Sequence, residues 1–158
     1  MADSDARTGF GAILRMENRD TPGDYIDLMG IKGITPPEMS RDVHDTTTMQ
    51  SPGGWREFIG GLKDGGEVSF SANFLPRDPT QGQTSGFMSE FDRDSCESRG
   101  NWEILLPACP GEEEVAFRFA GIVTGQSGDI PMDDVMTFEG TIKVSGRPQL
   151  VLTGETAT

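Results

Sequence analysis

The sequence predicts a mainly β domain: an antiparallel β-sandwich or barrel with one flanking α-helix and a long loop. Three observations carry that reading. Apolar and polar residues alternate with period two in several separate stretches. The 21 glycines and 10 prolines make about a fifth of the 158 residues and follow no collagen period, which favours short strands joined by turns. That length also fits one domain spanning 1–158 and leaves no room for two large ones.

Residues 11–16 and 25–34 are short candidate strands. The clearest strand is 67–75, EVSFSANFL, with Val68, Phe70, Ala72 and Phe74 on one face and Glu67, Ser69, Ser71 and Asn73 on the other. A helix is expected over 83–94, where Phe87, Met88 and Phe91 form an apolar stripe. Thr84 or Ser85 would cap its start, and turn residues 98–101 would end it. Residues 102–106 and 115–124 are further strands, the second with Val115, Phe117, Phe119 and Val123 on one side. In 135–145, Met136, Phe138, Gly140, Ile142 and Val144 lie opposite Thr137, Glu139, Thr141, Lys143 and Ser145. One wet face and one apolar face per strand is the pattern of an antiparallel sheet.

Residues 35–66 do not fit that plan. The stretch is rich in proline, glycine and charge, with strand character only near 43–49, and it reads as a long loop. Trp55, Phe58 and Ile59 are large apolar groups inside it, to be hidden by the chain itself or by a partner subunit. Ordering such a segment costs backbone entropy, so it is expected to be mobile in a free subunit and ordered in an assembly.

Charge and motifs narrow the function. Thirteen Lys and Arg against 26 Asp and Glu give a formal net charge of −13. Tight binding to DNA or anionic lipid needs clustered cations, so neither is expected as a ligand. No apolar run approaches the roughly 18 residues of a bilayer span, and no secretory signal is visible. Gly9-Phe10-Gly11 does not continue into a dinucleotide fingerprint, and there is no P-loop and no nucleophile elbow. His44, the lone histidine, stands between Asp42 and Asp45 in a polar stretch, and neighbours on a strand point to opposite faces. Asp92-x-Asp94-x-Cys96 loosely resembles the start of a calcium loop but has Glu97 where the glycine is required. The acidic turn at Asp129, Asp133 and Asp134 reads as a solvated lead-in to the next strand. Cys96 and Cys109 are too few for a disulfide framework and are expected to be free. No catalytic residue, cofactor or metal site is predicted, and the chain is not expected to be an enzyme.

Three blocks carry a family resemblance. They are the S-R-D…D-x-T pattern at 40–47, S-P-G-G-W-R-E-F-I-x-G-L-K-D-x-G-E-V-S-F at 51–70, and V-T-G…D-D-V-M-T-F-E-G-T-I-K-V-S-G-R-P at 123–148. In these the chain resembles the major tail tube proteins of lambda-like, non-contractile-tailed phages and of gene transfer agents. Some relatives carry an extra C-terminal immunoglobulin-like domain, which the tail 149–158 is too short to supply. The resemblance implies a structural virion protein that forms stacked hexameric rings, a conduit for DNA ejection assembled in the host cytoplasm. It implies as partners further copies of the chain, a tail tip or initiator complex, the tape measure protein and the tail terminator. DNA would pass through without tight binding, and no membrane is involved. Glu67, Ser69, Ser71, Asn73, Thr137 and Glu139 are the candidates to face the lumen. Arg41, Asp45, Trp55, Arg56, Phe58 and Ile59 are the candidates for contacts between subunits. A receptor- or carbohydrate-binding β-sandwich module would also explain the strands, but leaves the long segment and the charge without a purpose.

Overall fold

The structure is a computed structural model that describes residues 6–152. Nine strands form in chain order: β1 (Ile13–Glu17), β2 (Tyr25–Asp27), β3 (Ile31–Thr35), β4 (Ser40–Asp45), β5 (Phe58–Asp64), β6 (Glu67–Asn73), β7 (Arg99–Leu105), β8 (Val115–Asp129) and β9 (Thr137–Leu152). One short helix, α1 (Phe87–Phe91), precedes β7. Seven strands make one antiparallel sheet in the order β2-β1-β7-β8-β9-β6-β3, and β4 pairs with β5 apart from it.

The seven-stranded sheet curls until β1 and β3, with four strands between them in its order, come into contact. The apolar positions of the alternating strands therefore meet inside. Leu14, Met16, Val68, Phe70, Ala72, Trp102, Ile104, Phe119, Val123, Phe138, Ile142 and Val144 share one buried cluster. This is the barrel form of the expected fold, and the opposed faces read in β6 and β9 are as the alternation predicts. Phe87 of α1 plugs the interior, with its ring 4.9 Å from Phe70, 5.7 Å from Phe138 and 5.8 Å from Trp102. Its seat exists because position 140 is glycine: a Cβ there would lie 2.6 Å from both the Phe70 and the Phe87 ring.

Five expectations need correction. The helix is five residues long rather than spanning 83–94, Gly86 precedes it without a side-chain cap, and Phe91 points outward. Residues before it are spent on satisfying backbone groups at the sheet end. The buried Gln81 amide donates to the Met29 and Asn73 carbonyls and accepts from the Leu75 N–H, all at 2.9 Å. The helix turns inward on Phe87 and Glu90 instead, and Glu90 receives Arg19 at 2.7 Å and Arg93 at 3.3 Å.

The single strand read over 25–34 is two strands, broken where Gly30 takes φ +80 and packs so close to the Asn73 carbonyl that a side chain would collide. The turn expected at 98–101 is already the start of β7, and residues 149–152 of the supposed tail pair with β8. Both changes come from pairing with β8, residues 99–101 lying opposite 120–122 and residues 149–152 opposite 115–118. The irregularity in β9 at Gly146–Pro148 takes residues 149–152 out of a simple period-two count, and a bulge at Thr124 does the same for the end of β8.

The fifth correction concerns 35–66, which forms an antiparallel ribbon of β4 and β5 instead of a loop. Alternation misses it because nothing covers either face of the ribbon, so no face is reserved for polar residues. Its tip is closely bonded: the Thr46 N–H donates to the Glu57 carbonyl at 2.8 Å, the Glu57 N–H to the Thr47 hydroxyl at 2.8 Å, and the Ser51 hydroxyl to the Glu57 carboxylate at 2.9 Å.

Candidate assembly surfaces

The six polar positions read from the alternation come together on one face of the barrel wall. Across β6 and β9 the register pairs Glu67 with Lys143, Ser69 with Thr141, Ser71 with Glu139, and Asn73 with Thr137. Partners directly opposite in an antiparallel pair project to the same side, here away from the core. β3 and β8 extend the face on either flank: Thr35 pairs with Ser69, Gly125 with Thr141, and Ser127 with Glu139. Of these, Thr35, Ser69, Ser71, Gly125, Ser127, Glu139 and Thr141 line a shallow depression of hydroxyls, glycine backbone and carboxylate. Lys143, a cation on this face, is held by Asp64 at 2.8 Å. Thr35, Thr141 and Ser127 were not among the sequence candidates. Thr141 shares the polar face already read in 135–145, while for Ser127 the small polar run Gly125 to Asp129 was the only signal, and its place on this face depends on the Thr124 bulge.

The six arm candidates lie on the ribbon, but not as one patch. Asp45 faces Phe58 and His44 faces Ile59 across the ribbon. Successive residues of a strand point to opposite sides, so Phe58 and Ile59 are on different faces. Arg41 lies over Gly60, where a Cβ would come 3.1 Å from its Cδ. Trp55 stands at the tip beside Arg56, 78% exposed, with its indole against the Gly53 backbone. Asp45 shapes the turn, accepting from the Thr47 N–H at 2.8 Å, and the Thr47 hydroxyl and N–H hold its carboxyl below the ordinary range. Met39, Val43, Met49 and Leu62 are also exposed on this arm. The ribbon therefore offers apolar groups on both faces and at its end.

Where the arm meets the barrel, the Asp64 carboxylate accepts from the Lys143 ammonium and from the Gly66 N–H, both at 2.8 Å. The same two bonds, the lysine's first, lower its pKa. Gly66 has φ +75 and sits against the Glu38 backbone, a close approach that only glycine permits. The ribbon thus leaves the barrel in a direction set by tight local contacts.

On the other strands, Glu103 lies between Arg15 at 3.3 Å and Arg118 at 2.9 Å, and Arg15 also bonds Asp27 at 2.7 Å. Among the described residues no group of His, Cys, Asp and Glu could hold a metal ion, and His44, Cys96 and Cys109 are exposed. No helix there is long and apolar enough to cross a membrane.

A curled barrel with one polar wall and a projecting apolar ribbon defines a structural subunit shaped to meet others. Its sequence fits the pattern of the lambda phage tail tube proteins over residues 11–151, and the chain belongs to that family. It is a structural tail tube protein of the virion. Among solved structures it resembles a chain of the virion of a native gene transfer agent particle, at 16% identity and TM-score 0.65, over 92% of this chain and 99% of that one. It is similar to a chain of the gene transfer agent tail with C6 symmetry, at 13% identity and TM-score 0.62, over 92% and 99%. It is also similar to the SPP1 tail tube, at 7% identity and TM-score 0.62, over 88% and 75%. At these identities the likeness is one of fold. No curated protein matches the sequence.

Proposed function

We propose that copies of this chain close into six-fold rings, that the rings stack into a tube, and that the polar barrel face lines its channel. The observation that carries this reading is the registered face of Glu67, Ser69, Ser71, Asn73, Thr137 and Glu139. A channel for duplex DNA must not bind it, because each phosphate–cation contact adds affinity through counterion release. Hydroxyls, amide and carboxylate on that face offer no such contact, and its lysine is engaged by Asp64. The net charge of −13 points the same way. Six-fold closure is taken from the gene transfer agent tail, whose fold this chain shares nearly end to end.

In this reading the arm seats on neighbouring subunits. Trp55, Phe58 and Ile59 are its anchors, and Arg41 and Arg56 pair with acidic neighbours. A tail tip or initiator complex starts the tube in the host cytoplasm, and the tape measure protein and tail terminator are its other partners. The role is mechanical and requires no catalytic step.

Electron microscopy tests it. Concentrated protein, alone or seeded with a tail-tip complex, is expected to form hollow tubes, and protein that never does so under either condition overturns the reading. In a phage carrying this chain, Glu67→Lys with Glu139→Lys is expected to leave tails intact but slow or block DNA delivery. Normal delivery by that variant would put the channel wall elsewhere.

A further inference from the structure

Two features outside the polar face and the arm's anchors lie at opposite ends of the same strands. The β6–β9 ladder runs from Glu67 and Lys143 to Asn73 and Thr137, about 20 Å at roughly 3.3 Å per residue. Past its Thr137 end, residues 130–136 join β8 to β9 as a tip. Ile130, Met132 and Val135 are exposed there, Met132 completely. Asp129, Asp133 and Asp134 flank them.

Past the Lys143 end a groove opens between the arm's root and the irregular stretch of β9. Met39, Leu62, Val144 and Pro148 supply its apolar lining, and Arg41, Lys63 and Arg147 its cations. Asp42 and Asp64 also line it. Asp64 is already engaged by Lys143, whereas no ion pair among the described residues holds Arg41, Lys63 or Arg147. The groove therefore has surplus positive charge around an apolar floor, in a chain that is acidic as a whole.

We propose that the 130–136 tip of one copy docks in the arm-root groove of the next copy, stacking ring on ring. The proposal rests on the tube reading above and names the surfaces that join its rings. Charge fixes the occupant. An acidic tip cannot meet its own copy, because three carboxylates would face three carboxylates, while the basic groove meets it with opposite charge. Position fixes the geometry. Complementary patches at opposite ends of one ladder make a heterologous, head-to-tail contact, which repeats along the strand direction without using up either end. The contact gives the tube a polarity, because every added ring presents the same end.

The test uses the full chain. Asp133→Lys with Asp134→Lys reverses the tip, Lys63→Glu with Arg147→Glu reverses the groove, and a fourth chain carries all four changes. Tube formation is followed by sedimentation and electron microscopy, with circular dichroism to confirm folding. Each single reversal is expected to raise the concentration needed for tubes on the order of tenfold or more, since like charges then face each other. The combined chain is expected to recover. Met132→Lys, at a fully exposed side chain, repeats the tip test if the aspartate pair fails to fold. Normal tubes from either reversal overturn the proposal, as does a folded combined chain that fails to recover. A wild-type chain that forms no tubes sinks the tube reading itself, whereas wild-type tubes with unaffected reversals sink only this contact.

Discussion

Glu103 has 2% of its surface exposed and holds Arg15 and Arg118, each about a third exposed, against the side of the sheet away from the core. Removing one partner of such a group leaves the others poorly compensated, and this costs more than the pair itself contributes. Glu103→Ala is therefore expected to lower stability by about 3 kcal/mol, measured by denaturant unfolding. A loss nearer to that of an ordinary surface change, about 0.5 kcal/mol, would mean water serves the two guanidiniums as well.

Asp64 makes a different prediction, because it is exposed and its value lies below the ordinary 3.8 through the Lys143 and Gly66 bonds. A depressed folded value means that the released arm binds the proton more readily than the docked one. The contribution is whole above the ordinary value and lost as pH falls through the lower folded one. Hydrogen exchange at Gly66 should thus speed up in acid beyond its intrinsic change, and Asp64→Asn should abolish that acid-dependent part.

At the scale of the element, the β4–β5 ribbon is formed within a single chain, yet a lone two-stranded ribbon is marginally stable in water. Its hydrogen bonds at Thr46 and Glu57 close the tip, but no core backs either face. Amides of the ribbon are expected to exchange fast in the free subunit and slowly in the tube. Equal protection in both states would show that assembly adds nothing to the ribbon's order. Trp55 is too exposed to matter to the barrel, so Trp55→Ala should leave stability within about 0.5 kcal/mol while preventing tubes. A Trp55→Ala chain that unfolds, or one that still polymerises normally, would remove the indole from the set of anchors.

For the whole molecule, the proposed function sets charge two tasks that look opposed: subunits adhere to one another, yet DNA slides past them. With a net charge of −13, the free protein and its tubes are expected to show no measurable affinity for duplex DNA at physiological salt, read by fluorescence anisotropy. Measurable binding that weakens as salt rises would show that phosphates meet unpaired cations in the channel. In the proposed tube, adhesion falls to patches where apolar area outweighs like-charge repulsion, for which the ribbon and the two ends of the β6–β9 ladder are the candidates.

The strands of the barrel and the six polar positions on its wall were legible because period two is a local property of a pleated chain with one buried face. Val68 to Phe74 and Met136 to Val144 need no partner in view to announce which side is wet. The ribbon was not legible, since Val43, Phe58, Ile59 and Leu62 have no buried face to alternate against. The helix shrank because Gln81 and Glu90 answer to the Met29 carbonyl and to Arg19, both far away in sequence. Likewise Ser127 joins the wall only through a bulge at Thr124 that resets one strand against another. Local chemistry determined the class of fold, its polar wall and its acidity. Tertiary structure alone decided which edges pair, where registers shift and which apolar groups stay uncovered, because each depends on contacts between residues distant along the chain.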